Sequence, residues 1–287
     1  MLRTIGSLVL VLGLVACGSA VAGPVRERRP APTAPVTMPT SAPGTLPVTT
    51  STVGPASKAM PPHLVLFGDS LSWEAEQYFA PLIRATGQTF LTFNSYGGTA
   101  TCDWLDRMQR AADSQHLEAA VIQFSGNALT PCMTDTPPGT PAYVQKYYDD
   151  TMAAVRIFAA VGAHVFLIGA PISFGQFQTG DADVQPVNEL YAYIARDDPA
   201  GVTYVDAGAA VEGLAGAWVK TLPCLVIEPC IGPVVGGVAN NVVRAPDGAH
   251  FCPVAIPVGA GVIDRCPVYS SGAFRFANAI ASALGVA

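Results

Sequence analysis

A serine hydroxyl becomes a useful nucleophile only when a base can take its proton and a carboxylate holds that base in one tautomer. This chain offers such a set. Phe67-Gly68-Asp69-Ser70-Leu71 closes an apolar run, and Arg244-Ala-Pro-Asp247-Gly-Ala-His250-Phe251 lies near the other end. Gly68 lets the chain turn sharply, so Ser70 opens the next helix with its hydroxyl and an amide donor exposed where an oxyanion would form. Gly-Asp-Ser alone is also an ordinary helix cap. Asp247 and His250 change its weight. Three residues apart on a turn, the carboxylate can reach Nδ1 while Nε2 faces Ser70. The competing reading is a surface Asp-Gly turn followed by an incidental histidine, in a chain with four histidines.

These residues need a frame to bring them together. From His63 onward, short apolar runs alternate with amphipathic stretches. Strands are expected at 63–67, 89–93, 119–124, 163–168 and 202–205, and helices at 71–85, 141–160, 187–195 and 271–284. Unbroken apolar strands alternating with helices predict a parallel sheet covered on both faces, with ligands at the carboxyl ends of the strands. Residues 213–244, rich in Gly, Pro and Val, break the pattern, and Cys224 with Cys230 argues for an ordered loop there. Trp73 and Tyr78 read as core on a helix face, Trp104 and Phe251 as core or pocket wall, and His164 as packed in a strand. His63 and His116 read as solvated histidines at element edges.

Gly68-Asp69-Ser70-Leu71 and Asp247-x-x-His250 resemble the first and last sequence blocks of the SGNH (GDSL-type) hydrolases, in their exported lipoprotein version. The resemblance implies an α/β fold, a flavodoxin-like three-layer α/β/α sandwich with a central parallel sheet. It also implies hydrolysis of carboxylic esters by Ser70, His250 and Asp247 without metal or cofactor. Two middle blocks should then add oxyanion donors to the Ser70 N–H. Asn94-Ser-Tyr-Gly97-Gly98-Thr99 resembles the glycine block, with Gly98 rather than Gly97 as donor. Phe124-Ser125-Gly126-Asn127 resembles the asparagine block, with Asn127 as donor. That block usually reads Gly-x-Asn-Asp, whereas here Gly126 directly precedes Asn127 and Ala128 follows. Gly98-Thr-Ala-Thr-Cys102-Asp103-Trp104 resembles the cysteine-containing version in exported actinobacterial and acyltransferase-linked SGNH domains. Asp69 is expected to face away from Ser70 and bond neighbouring loops. Besides an esterase, two alternatives stay open: an acyltransferase using the same triad on a sugar hydroxyl, and a glycan-binding lipoprotein with a silent site.

The first fifth of the chain has a different character. Arg3 and the apolar run Ile5 to Ala16 have the shape of a secretory signal, too short to span a bilayer. Leu14-Val15-Ala16-Cys17 resembles a bacterial lipobox, which would make Cys17 the lipidated first residue. A cut near Ala20-Val21-Ala22 would instead make it an ordinary signal peptide. The expected division is therefore 1–22 for the signal and start of a tether, 23–62 for a Pro/Thr-rich tether, and 63–287 for the folded domain. Ten prolines and seven threonines in the tether cannot bury a core, and at about 3 Å per residue it could reach on the order of 100 Å. The cluster Arg26, Arg28, Arg29 either touches anionic headgroups or is merely solvated.

With Cys17 lipidated, six of the seven cysteines remain for pairing outside the cytoplasm. Nearest neighbours in sequence suggest Cys102–Cys132, Cys224–Cys230 and Cys252–Cys266. None of these cysteines lies two to four residues from another, which argues against a zinc site. Past residue 62, 10 cations face 20 carboxylates, and a formal charge of −10 has the wrong sign for nucleic acid. The expected setting is extracytoplasmic and membrane-attached, with an acylated small molecule, envelope glycan or lipid as substrate and the oligomeric state open.

Overall fold

The structure, a computed structural model, describes residues 61–87, 89–174, 184–255 and 265–286, with the backbone of 258–259 and 262–263. The expected signal segment, Cys17 and the expected tether up to residue 60 lie outside the described residues. Five strands, β1 (His63–Gly68), β2 (Phe90–Ser95), β3 (Ala119–Gln123), β4 (His164–Ile168) and β5 (Val202–Val205), form one parallel sheet. Their order is 2-1-3-4-5.

Alternate residues of the strands feed two separate cores, because successive side chains of a strand point to opposite faces. Val65, Phe67, Ala120, Ile122 and Val165 pack with helices α2 (Leu105–Ser114), α3 (Pro141–Ala159) and α4 (Val184–Asp197). Leu64, Leu66, Val121 and Phe166 pack with α1 (Ser70–Ala85) and α5 (Ser271–Ala283), whose spaced apolar residues include Leu71, Ala75 and Phe79 on the first and Phe276 and Ile280 on the second. The expected α/β/α sandwich is the one observed. Helix α2 was not foreseen, because LDRMQRAADS buries only Met108, Ala111 and Ala112, a stripe too narrow to stand out among its charges.

Residues 213–244 are ordered, as the paired cysteines suggested, but as a small sheet rather than a loop. Here β6 (Thr221–Pro223), β7 (Val234–Val235) and β8 (Val238–Val242) pair antiparallel in the order 6-8-7. Strands β6 and β7, of three and two residues, fall below what alternation can signal, and β8 is interrupted by Asn240 and Asn241. A further two-residue pair joins β9 (Val258–Gly259) to β10 (Val262–Ile263). The three disulfides pair as nearest neighbours suggested: Cys102–Cys132, Cys224–Cys230 and Cys252–Cys266.

Candidate active site

Strand β1 ends at Gly68, where an added Cβ would stand 2.3 Å from Ser72 Oγ, so only glycine lets the chain turn there. Asp69 caps α1, its Oδ1 accepting the Leu71 N–H at 3.0 Å. Ser70 is thus the first helical residue, and its own N–H has no acceptor within the helix. The start of α1 is fastened to β3, since the Ser72 N–H and hydroxyl both donate to Gln123 Oε1 at 3.0 and 2.7 Å.

From the far end, β8 runs through Arg244 into a turn at Ala245 to His250. Gly248 sits at φ 80°, where a Cβ would overlap the Phe174 carbonyl at 1.7 Å. Asp247 closes the turn on itself, Oδ1 accepting the Ala249 and His250 N–H groups at 2.9 and 3.0 Å. Its other oxygen lies 2.7 Å from His250 Nδ1, and His250 Nε2 lies 2.9 Å from Ser70 Oγ. Residues 180 positions apart meet at hydrogen-bonding distance.

The charges at this relay follow from their surroundings. Burial pushes the Asp247 carboxyl up, but hydrogen bonds from the His250 ring and the turn amides outweigh it and hold Asp247 at about 2. Ionised Asp247 accepts a hydrogen bond from Nδ1–H, which leaves Nε2 as the acceptor for the Ser70 hydroxyl. For His250, burial opposes the cation, yet Asp247, Glu74 and Asp69 together raise its pKa above the ordinary imidazole value. Glu74 was not singled out from the sequence. It stands one helical turn after Ser70, buried, and its Oε2 accepts the Phe251 N–H at 2.6 Å. A carboxylate between Leu71 and Ala75 on the buried side of α1 was the available signal.

Asp69 does bond neighbouring loops. Its Oδ2 accepts the Ser125 N–H and hydroxyl, each at 2.6 Å, and the Asn127 side-chain amide at 3.1 Å. The second Asn127 amide hydrogen goes to the Thr99 carbonyl at 3.3 Å. Both neighbours are acceptors only, which fixes the amide's orientation. Below, the Tyr143 and Tyr147 hydroxyls of α3 donate to the Gly126 and Asn127 carbonyls, each at 2.6 Å. Without an aspartate after it, Asn127 is held by contacts from Asp69 and α3. Cys102–Cys132 joins the turns that follow these two loops.

Ser70, Asn127 and His250 line one open cleft, with Leu71, Leu129 and Pro171 among its apolar walls. None of its described lining residues comes from 94–99, and the loop meets the cleft through Thr99, whose carbonyl accepts from Asn127. Gly98 does adopt a positive φ of 77°, and its N–H has no hydrogen-bond acceptor among the described residues. Trp104 and Phe251 are not pocket wall. Trp104 lies edge-on to Phe67 with its Nε1 donating to Thr99 Oγ1 at 2.9 Å, and Phe251 is buried against Phe276. Both serve the loops from behind. Trp73 and Tyr78 are partly buried rather than core, Tyr78 Oη accepting the Ser270 N–H at 2.8 Å. His164 sits at the start of β4 with its Nε2 2.8 Å from Thr203 Oγ1.

Residues 63–255, from β1 to just past His250, match the family described as "Protein of unknown function (DUF459)". The chain belongs to the DUF459 family. No curated protein matches this DUF459 chain. Among solved structures it is similar to a "putative platelet activating factor" from Streptococcus pneumoniae, at 14% identity and a TM-score of 0.51, with 79% of this chain and 86% of that one covered. A GDSL-like lipase from Bacteroides thetaiotaomicron is similar at 12% identity and a TM-score of 0.48, over 78% of this chain and 87% of that one. The fold expected from the SGNH-type blocks is the fold this DUF459 domain adopts.

Proposed function

We propose that the domain is a serine esterase acting on acyl or acetyl esters of a cell-envelope carbohydrate or lipid. One observation carries the reading: the Asp247–His250–Ser70 chain of hydrogen bonds, 2.7 and 2.9 Å long, at the mouth of a cleft. In this reading His250 Nε2 takes the Ser70 proton as Oγ attacks the ester carbonyl, and Asp247 stabilises the imidazolium. The oxyanion collects the Ser70 N–H, the Asn127 amide and the Gly98 N–H. Both Asn127 hydrogens are already engaged, so donating to the oxyanion means surrendering the longer contact to Thr99. The imidazolium then protonates the leaving alcohol, and water, activated by His250, releases the acyl group.

Placement outside the cytoplasm rests on the lipobox reading of Cys17 and the Pro/Thr-rich tether. A fluorophosphonate probe should label the protein at Ser70, and Ser70→Ala should lose both the label and turnover of p-nitrophenyl acetate. Turnover persisting in the purified variant defeats the assignment. Fatty-acid labelling that survives Cys17→Ala would defeat the anchor.

A further inference from the structure

The segment 221–242 does something the cleft does not require. It holds aliphatic side chains out in water on a rigid support. Cys224–Cys230 closes a short loop whose tip is Leu225, Val226 and Ile227, with Val226 fully exposed and Ile227 68% exposed. Ile231, Val234 and Val238, next along the chain, are 65%, 71% and 50% exposed. Exposed aliphatic side chains gathered on one short, cross-linked segment point to an interaction site.

The support beneath is polar and complete. Glu228 folds inward and takes an ion pair from Arg275, the Leu225 N–H at 2.8 Å, the Ser271 hydroxyl at 2.6 Å and the Tyr269 hydroxyl at 3.1 Å. Asn241 of β8 spans the loop, accepting from the Ile231 and Gly232 N–H groups and donating to the Pro229 carbonyl. The tip therefore cannot fold its apolar groups inward without breaking a buried ion pair. Such a break is costly.

Composition decides between occupants. Protein interfaces favour Tyr, Trp, Phe, Met and Arg. Residues 221–242 contain none of these, and their one charge, Glu228, is neutralised from inside. What remains is a neutral, aliphatic surface, suited to hydrocarbon rather than to a partner with directional polar groups. A membrane is also within reach, since the chain before residue 61 carries the Cys17 lipobox and a tether on the order of 100 Å when extended.

We infer that the Leu225–Ile231 loop and the neighbouring β7–β8 turn seat the domain on a lipid bilayer surface, a second membrane contact beyond the anchor. The inference rests on the anchor reading only for what brings the membrane near. The domain's net negative charge disfavours electrostatic adsorption to anionic lipid, so the contact is apolar and insensitive to salt.

The test uses residues 17–287 with Cys17→Ser, so that no lipid is attached, and flotation with vesicles of phosphatidylcholine or of phosphatidylcholine with phosphatidylglycerol. The protein should float with both, at low and high salt. Val226→Asp with Ile227→Asp should weaken flotation by about tenfold or more, because carboxylates replace the aliphatic groups that would enter the bilayer. The melting temperature and turnover of a soluble ester should not change, as both side chains face water. Absence of flotation overturns the inference. So does flotation that the double variant leaves intact, or flotation confined to anionic vesicles and lost in salt. Self-association abolished by the variant without flotation would assign the surface to a second copy instead. A failed esterase reading would show differently: no ester turnover in either protein, with flotation still scoring the surface.

Discussion

Asp69 and Glu228 are both carboxylates held inside the domain, yet one is surrounded by neutral donors and the other by an arginine. Asp69 gathers the Leu71 N–H, the Ser125 N–H and hydroxyl, and the Asn127 amide. Burial outweighs those bonds and raises its pKa. Glu228 is also pushed up by burial, but its bonds to Arg275, Ser271 and the Leu225 amide outweigh this and bring it below the ordinary value. The difference teaches what each is for. Neutral donors around Asp69 converge two loops on one cleft and can be re-aimed, as Asn127 would be by giving up Thr99, without stranding a charge. The ion pair at Glu228 spends its polarity internally, so the residues above it can be wholly apolar.

The comparison breaks if activity and stability do not separate along the same line. The largest effect belongs to Ser70→Ala, which should cost on the order of 10⁵-fold or more in turnover while the melting temperature holds. Glu228→Gln should do the reverse. It strands the Arg275 guanidinium, costs about 3–5 kcal/mol, and lowers the melting temperature by roughly 10 °C with kcat of the folded protein unchanged. A fall in kcat at constant melting temperature would erase the distinction.

Asn127→Ala should lower kcat by about 10²–10³-fold, the usual cost of one oxyanion donor, with little change in melting. The disulfides offer a finer cut. Replacing Cys102 and Cys132 by alanine should lower turnover several-fold in still-folded protein, because that bridge ties the loops behind Asn127 and Gly98. Replacing Cys224 and Cys230 should leave turnover alone and loosen the 225–231 tip instead.

The smallest effect is a pH shift. His250 must be neutral to accept a proton and its pKa is raised, so kcat/KM should reach half its maximum above pH 6.5. Glu74→Gln removes a negative charge that favours the imidazolium, so that acidic limb should move to lower pH. An unmoved limb would limit Glu74 to its bond with Phe251. The stability signs differ for the two partners. The raised pKa of His250 gives stability that is full below its unfolded pKa and lost as pH rises through the folded one. Asp247, held at about 2, stabilises above its ordinary value of 3.8 and loses that contribution as pH falls toward 2. Thermal melting against pH checks both.

Much of the site could be read from spacing. Asp247-x-x-His250 is a local arrangement, and the turn needs only Gly248 and the Asp247 carboxylate to form. Gly68-Asp69-Ser70 likewise carries its own turn and cap. Strands β1, β3 and β4 were legible as nearly unbroken apolar runs, and β2 and β5 as runs of aromatic, aliphatic and β-branched residues. Helix α2 was not, since only three of its residues face the core; β6 and β7 were too short to show a period, and two asparagines interrupt β8. Trp104 and Phe251 could not be assigned to wall or core, because an aromatic side chain suits either and only the packed neighbours distinguish them.

By itself, the sequence determined which residue types lie at strand ends, which turns they form, and which cysteines are near enough to pair. The meeting of His250 with Ser70 across 180 positions, the reach of Asp69 to Asn127, and the approach of Glu74 to the imidazole were decided only by the tertiary structure. The reason is one of range. A turn or cap is settled within a few residues by hydrogen bonds and φ, whereas these contacts arise only once parallel strands have been stacked in the order 2-1-3-4-5 and their loops share one edge.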